Sequence, residues 1–307
     1  MRLWIDLETY STVPITHGTH AYAEAAEILL FAWAIDNGPV NVWDCTAEPA
    51  PHELIQAIRA CGTITAHNSA FDRTVIKHAW PKRMVVGSPA MEVYPKLIDV
   101  AGWRDTMVKA LAHSLPGSLG DLCEVLNIPT DKAKDKDGRR LVLKFCKTSS
   151  KGQRNTRETH PEDWARFVEY ARLDVEAMRV IDAKLPEWNY RGEELALWHL
   201  DQTINDRGVA IDMGLVTAAL ASVDKTQKAL AKKVQSKTDG VVQAATQRDA
   251  MMRHIADAYG IALPDLQGST VDKLLGSGEL PADVAELLTI RKRASTSSTA
   301  KYKALVR

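Results

Sequence analysis

The sequence predicts an α/β chain in which helices flank a mixed five-stranded sheet and a helical region follows. Residues 1–8 alternate apolar and polar side chains with the period of a β-strand. An early hairpin pattern is then followed by strand–helix units, which favours an α/β or α+β sheet with helices packed against it. Strand patterns disappear after Pro186, where Gly and Pro separate helical segments.

The individual elements follow from local patterns. Strands are predicted over residues 1–8, 27–35, 40–43, 62–66 and 97–101, with a turn at 36–39 between the second and third. Helices are predicted over residues 51–59, 71–80 and 105–112, and a long helix begins at Pro161 because apolar residues then recur every three or four positions. An amphipathic helix is predicted from Met213 to about Val234.

The domain organisation is predicted from changes in composition. A boundary near residue 186 divides the chain into a first domain, 1–186, and a helical region, 187–307. Within the first domain, residues 131–160 lack sustained periodicity and are rich in Lys, Asp, Gly, Ser and Thr. We interpret them as a mobile insertion.

Composition excludes several classes of protein. The 307 residues are 45% hydrophobic and 25% charged, a soluble globular balance. No apolar run reaches the length of a membrane span, and the N-terminus lacks a signal-peptide pattern, so we expect no membrane partner and a cytoplasmic location. The four cysteines have no C-x-x-C spacing, which argues against a zinc site or a disulfide framework.

Charge is balanced overall and uneven locally. The chain has 39 basic and 39 acidic residues, so its net charge gives no sign of nucleic-acid binding. Residues 131–160 nevertheless carry ten Lys/Arg against four Asp/Glu, and residues 291–307 carry six basic residues and no acidic one. Such segments can bind phosphate backbones, but a solvated loop and a surface helix explain them equally well.

Two carboxylates on the first strand are the starting point for function. Asp6 and Glu8 are two positions apart, so they emerge on one face with Cα atoms about 6.6 Å apart. Two adjacent anions on a mostly buried strand are costly unless protons or cations neutralise them. The two carboxylates either bind metal or lie at a solvent-exposed edge of the sheet, and the Asp-x-Glu pattern alone does not decide which.

Three further residues favour the metal-binding interpretation. Asp72 follows a predicted strand-to-helix junction, and Tyr170 and Asp174 are four residues apart on one face of the long helix. Each of these residues also has an ordinary structural explanation that involves no metal. In that explanation Asp72 is an anion at a helix N-terminus, Tyr170 is a partly buried aromatic residue, and Asp174 is a solvated carboxylate. Together, four carboxylates and a phenol suit two divalent cations, Mg²⁺ or Mn²⁺, which can clamp a scissile phosphate. No phosphate-binding loop, nucleophile elbow or zinc-protease motif competes with this interpretation.

Three segments resemble the exonuclease motifs of the DEDD superfamily. They are Ile5–Thr9, Asn68–Asp72 and Tyr170–Asp174, in the same order. The tyrosine four positions before the last aspartate resembles the tyrosine subclass, since Glu169 occupies the position where the histidine subclass has its histidine. The resemblance implies an RNase H-like fold for the sheet domain.

Later segments resemble family A DNA polymerases. Residues 204–212 are similar to the segment that follows their proofreading domain, and residues 267–302 to the start of their thumb in a bacteriophage-type version. Phe145–Lys147 also resembles the phage type. The palm and fingers are missing, so we expect a fragment of a longer polymerase that does not polymerise by itself.

The resemblance implies a role for each candidate residue. Asp6, Glu8 and Asp174 would hold the first cation, Asp6 and Asp72 would reach the second, and Tyr170 would orient the attacking water. Thr9, Asn68 and Phe71 would seat the terminal nucleotide or support the site.

The resemblance also implies the reaction, namely 3′→5′ hydrolysis of single-stranded or frayed DNA ends to nucleoside 5′-monophosphates for proofreading. We expect a monomer, located in the bacterial host cytoplasm if it is phage-encoded. Two alternatives stay open: a stand-alone 3′→5′ exoribonuclease that uses the same carboxylates, and a non-catalytic nucleic-acid-binding scaffold module.

Overall fold

Residues 1–128, 138–147, 152–294 and 299–306 are described by a computed structural model of the chain. The chain divides into two compact units, Met1–Gly208 and Val209–Arg307. The first unit contains a five-stranded mixed sheet flanked by helices, and the second is helical in its described residues. The predicted fold class is therefore confirmed.

The sheet has the strand order β3-β2-β1-β4-β5. Its strands are β1 (Arg2–Ser11), β2 (Ala26–Ile35), β3 (Asn41–Asp44), β4 (Thr63–Ala66) and β5 (Trp103–Asp105). β2 runs antiparallel to both β1 and β3, whereas β4 runs parallel to both β1 and β5. The carboxyl ends of β1, β4 and β5 therefore share one edge of the sheet.

The helices of the first unit lie on both faces of the sheet. They are α1 (Thr19–Glu24), α2 (His52–Ala60), α3 (Ser69–Arg83), α4 (Pro89–Glu92), α5 (Tyr94–Ile98), α6 (Thr106–Ala112), α7 (Leu119–Val125), α8 (Gly138–Phe145), α9 (Pro161–Lys184) and α10 (Gly192–Arg207). Short 3₁₀ segments occupy Ile15–His17 and Val100–Gly102. The long helix α9 begins at Pro161, as predicted, and carries acidic residues in its first turn and Lys184 in its last, as the helix dipole favours.

The alternation of β1 produces two separate cores. Leu3, Ile5 and Leu7 face the core that contains α2 and α3. Trp4 and Tyr10 face the opposite core, which is built with α8 and α9. Since Asp6 and Glu8 are in phase with Trp4, their side chains emerge on the α9 side of the sheet.

The fifth strand differs from its prediction. Residues 97–101 form the end of α5 and a 3₁₀ segment, and the strand is Trp103–Asp105. Pro95 lies in the first turn of α5, where its fixed φ favours the helix. Leu97 is therefore buried by helical packing, and the prediction of a strand over residues 97–101 is wrong.

The predicted mobile insertion contains an ordered helix. Residues 138–145 form α8, and its Leu141 and Phe145 are completely buried. These two side chains are four positions apart, so one helical face carries both into the core. The prediction is wrong for this helix, while residues 129–137 and 148–151 lie outside the described residues.

The two units divide after Gly208, whereas the sequence suggested a boundary near residue 186. Helix α10 accounts for the difference, because its Trp198 packs against the core of the first unit. Arg73 of α3, which is almost fully buried, forms an ion pair with Asp206 and a hydrogen bond with Gln202 of α10.

The second unit has a helical core of its own. Its helices are α11 (Met213–Lys237), α12 (Arg248–Tyr259), α13 (Gly268–Ser277), α14 (Ala282–Arg293) and α15 (Ala300–Leu305). Buried apolar side chains from α11 to α14 form its core. Across the described residues of both units, no helix has the length and apolarity needed to cross a membrane.

Candidate metal centre

The candidate centre is built on the central strand and the helix above it. Asp6 and Glu8 project from β1 toward α9, and Asp174 of α9 meets them there. One carboxylate oxygen from each of these three residues lies within 4.8 Å of the other two. Tyr170 lies one helical turn before Asp174, and its hydroxyl is hydrogen-bonded to the Asp174 carboxylate. The strand period and the helix period thus bring distant residues together.

Asp72 approaches the centre from the other side of β1. It lies in the first turn of α3, is buried, and accepts a hydrogen bond from the backbone of Leu7. The Leu7 amide is accessible to the Asp72 side chain because β4 pairs with β1 only from Arg2 to Trp4 and does not extend to Leu7. Asp72 is not part of the three-residue cluster, although its charge acts on Glu8 and the charge of Asp6 acts on Asp72.

Burial raises the pKa values of the four carboxyl groups, and neighbouring anions raise those of Glu8, Asp72 and Asp174 further. Burial raises the pKa of Asp6 to about 6. Burial and the neighbouring anions raise the pKa values of Glu8, Asp72 and Asp174 well above their ordinary range. Among the described residues, no Lys or Arg forms an ion pair with any of the four. An all-oxygen, uncompensated set of this kind fits hard divalent cations.

The raised pKa values predict how the metal-free protein responds to pH. A carboxyl with a higher pKa in the folded state contributes less stability as pH rises from its unfolded pKa through the folded one. For Asp6 this range runs from 3.8 to about 6. In EDTA, the Tm of the wild type should therefore fall between pH 5 and pH 8 relative to the Asp6→Asn/Glu8→Gln variant, by about 5 °C.

Thermal denaturation of both proteins at several pH values measures this difference. Adding Mn²⁺ at pH 8 should restore the Tm of the wild type and leave the variant unchanged, because a ligand stabilises only a state that binds it. Parallel pH curves for the two proteins would contradict the electrostatic description of the centre.

Asp105 organises the backbone around the centre, and the sequence interpretation missed it. Its buried carboxylate accepts hydrogen bonds from the amides of Asn68 and Ser69 and from the Ser69 hydroxyl. It also accepts from the amides of Met107 and Val108, so it caps α6 as well. An aspartate directly before a helix is a recognised cap signal, but the contacts with α3 come from distant segments.

Asn68 has a backbone role. It adopts a left-handed conformation (φ 63°, ψ 46°) immediately before α3, which asparagine tolerates better than most residues. Its side chain is exposed and makes no capping hydrogen bond. The amide held by Asp105 thus fixes the turn that leads into the helix carrying Asp72.

A cleft of about 600 Å³ opens beside Glu8. Thr9 and Phe71, two of the predicted substrate-binding residues, line it together with Tyr22 and Cys146, whereas Asn68 does not. The Thr9 hydroxyl is hydrogen-bonded to that of Tyr22 at 2.8 Å, and the Tyr22 and Phe71 rings are 5.6 Å apart. The Cys146 thiol donates to Glu8 Oε2, with sulfur and oxygen 3.6 Å apart.

The fold and the centre together define a class: a mixed α/β sheet whose central strand presents an acidic cluster beside an open cleft. No protein-family model matches the chain. It is 33% identical over 315 residues to a DNA polymerase of Bacillus phage SP02. The match covers 99% of the chain and 45% of that polymerase, so the chain spans less than half the length of its relative. Nearly the whole chain is thus related to a part of a phage DNA polymerase.

Proposed function

We propose that the chain is a divalent-metal-dependent 3′→5′ exonuclease that shortens DNA strands and releases nucleoside 5′-monophosphates. One observation carries the proposal: carboxylate oxygens of Asp6, Glu8 and Asp174 lie within 4.8 Å of one another, next to an open cleft. In the part of the chain that the structure describes, these three carboxylates form no ion pair with Lys or Arg, and such an uncompensated acidic cluster is suited to binding cations that neutralise a phosphate.

Each acidic residue then has a role at the scissile phosphate. Asp6, Glu8 and Asp174 would hold one Mg²⁺ or Mn²⁺, and Asp6 and Asp72 would reach a second. Bound divalent cations lower the pKa of water and stabilise the charge on a leaving oxygen. Burial and the nearby charge of Asp6 raise the pKa of Asp72 when no cation is bound, and this proximity to Asp6 supports its place in the second set.

Tyr170 orients the attacking water and does not deprotonate it. Burial and the nearby carboxylates raise the pKa of its phenol above the ordinary value near 10, so the hydroxyl stays protonated at neutral pH. It already donates to Asp174, and a protonated phenol can hold a water molecule against the same carboxylate.

The cleft is proposed to receive the terminal nucleotide. Phe71 offers an aromatic ring for a base, and stacking accepts any base because each has a π-face. Thr9 and Tyr22 supply polar groups at the wall, while Asn68 supports the site through its backbone. Editing of newly synthesised ends requires such tolerance of sequence.

The relationship to a phage DNA polymerase supports DNA as the substrate. Proofreading is the purpose that we propose for a nuclease in such a chain. We propose that residues 1–186 act as the exonuclease domain of a family A polymerase and residues 187–307 as the start of its thumb. A palm and fingers would then belong to the full-length parent chain. Cytoplasmic location and a monomeric state remain predictions.

Matched oligonucleotides test the activity. With 5′-labelled substrates and Mg²⁺, single-stranded DNA should shorten from its 3′ end and release 5′-mononucleotides. A duplex with a mismatched terminus should be degraded about tenfold faster than a fully paired one, because fraying a pair costs unstacking energy. Equal rates on both duplexes would argue against proofreading.

The same assay separates the alternatives. RNA of the same sequence should be a poor substrate, and equal or faster cleavage of RNA would favour an exoribonuclease. Binding of DNA without any hydrolysis in Mg²⁺ or Mn²⁺ would favour a scaffold module and overturn the proposal.

A further inference from the structure

Helix α8 contacts the candidate metal centre at both of its ends. Gly138 begins the helix and lies against the ring of Tyr170, while Cys146 follows its last residue and contacts Glu8. We propose that α8 is a positioning element of the nuclease site, in which Cys146 orients the Glu8 carboxylate and Gly138 supports the Tyr170 ring. The consequence for catalysis rests on the proposed function, whereas the two contacts do not.

Cys146 is placed to hold one oxygen of Glu8. Its thiol donates to Oε2, and its sulfur also interacts with the backbone of Thr9, the next residue of β1. The terminal torsion of a glutamate has no sharp preference, so a carboxylate without a donor can rotate. A thiol anchored between Thr9 and Glu8 restricts that rotation and leaves the second oxygen of Glu8 available for a cation.

Gly138 is the residue that allows Tyr170 its position. A Cβ atom at residue 138 would lie 2.4 Å from Cε2 and 2.6 Å from Cδ2 of Tyr170, far inside van der Waals contact. On α9, the ring is also parallel to that of Phe167, with centroids 6.5 Å apart. Any side chain at residue 138 larger than hydrogen would therefore force the Tyr170 ring to move. The Tyr170 hydroxyl, which donates to Asp174, would move with the ring.

The helix is anchored firmly enough to position both residues. Phe145 is completely buried, stacks on Phe167 at 5.2 Å and meets the edge of Trp164 at 5.0 Å. On the outer side, Lys144 and Arg140 form ion pairs with Asp163 of α9. Because these anchors and the positioned residue Tyr170 all lie on α9, a shift of α8 changes the centre directly.

A double-mutant cycle tests the contact of Gly138. Gly138→Ala should lower the Tm of the wild type, and Gly138→Ala in a Tyr170→Ala background should have a much smaller effect, since the clashing ring is then absent. Gly102→Ala is the matched control, because a Cβ there meets nothing within 4 Å. Equal losses in both backgrounds would overturn the role of Gly138, and no metal is needed for the measurement.

Mn²⁺ titration tests the role of Cys146. Cys146→Ala should need about tenfold more Mn²⁺ for half-maximal thermal stabilisation, as is usual when a residue that orients a metal ligand is lost. Cys146→Ser keeps a donor and should stay within about twofold of the wild type. Cys61→Ala is the control, because it removes a different thiol, a buried one that donates to the carbonyl oxygen of Ile58.

The outcomes distinguish the two proposals. Cys146→Ala with wild-type Mn²⁺ dependence would overturn the positioning role and leave the proposed nuclease intact. A wild-type protein that Mn²⁺ does not stabilise would overturn the metal-dependent function and the role of Cys146 together. The Gly138 double-mutant cycle would still test the contact between Gly138 and Tyr170 independently, because it needs no metal.

Discussion

Replacing Asp6 and Glu8 together by alanine is expected to reduce the release of mononucleotides from single-stranded DNA by about 1,000-fold or more. Both residues contribute oxygens to the three-residue cluster, so the variant retains only Asp174 of that set. A thousandfold loss corresponds to about 4 kcal/mol of transition-state stabilisation, within the several kcal/mol that bound cations supply. EDTA should produce the same loss in the wild type.

Two controls separate chemistry from folding. Asp6→Asn/Glu8→Gln keeps the shape of both side chains and removes only their charge, so it should be as inactive as the alanine variant. Circular dichroism should show that both variants keep the wild-type helix content. Nucleotide release that survives either variant or EDTA would refute the assignment of this centre.

Replacing Asp105 by alanine is expected to destabilise the first unit by about 4 kcal/mol, because an unsatisfied buried donor costs about 1–3 kcal/mol. The change removes the acceptor of five hydrogen bonds of 2.7–3.2 Å from the starts of α3 and α6. For a unit of this size the Tm should fall by about 10 °C. Activity should also fall, since α3 carries Asp72.

Asp99→Ala provides the comparison for Asp105. Asp99 also caps a helical segment, but it is exposed and accepts from the amide of Ala101 alone. Its loss should cost about 1 kcal/mol, the usual value of a single cap. If urea unfolding gives equal losses for the two variants, Asp105 does not have the organising role inferred from its contacts.

The carboxylate cluster was predictable because two local periods define it. The repeat of two along β1 places Asp6 with Glu8, and the repeat near four along α9 places Tyr170 with Asp174. The hydrogen bonds of Asp105 to Asn68 and Ser69 join residues 37 and 36 positions apart, and no local pattern encodes them. Knowledge of the neighbouring strands is needed to see that contact.

Short elements were the least predictable part of the fold. β5 has three residues, too few to show an alternation, whereas the apolar run before it resembles a strand. Helix α8 has eight residues within a basic, polar stretch, and its stability comes from burying Leu141 and Phe145. Tertiary packing thus decided both elements, and with α8 it decided the contact between Cys146 and Glu8.

The pairing between β4 and β1 ends at Trp4, and this leaves a backbone amide of β1 that reports the ionisation of a nearby carboxyl group. Beyond Trp4, a side chain takes the place of a neighbouring strand, and the Asp72 carboxylate interacts with the Leu7 backbone. The strength of that hydrogen bond depends on whether the carboxylate is ionised, because a charged acceptor binds more strongly. The chemical shift of one backbone amide proton therefore reports the ionisation of Asp72 without any label in the site.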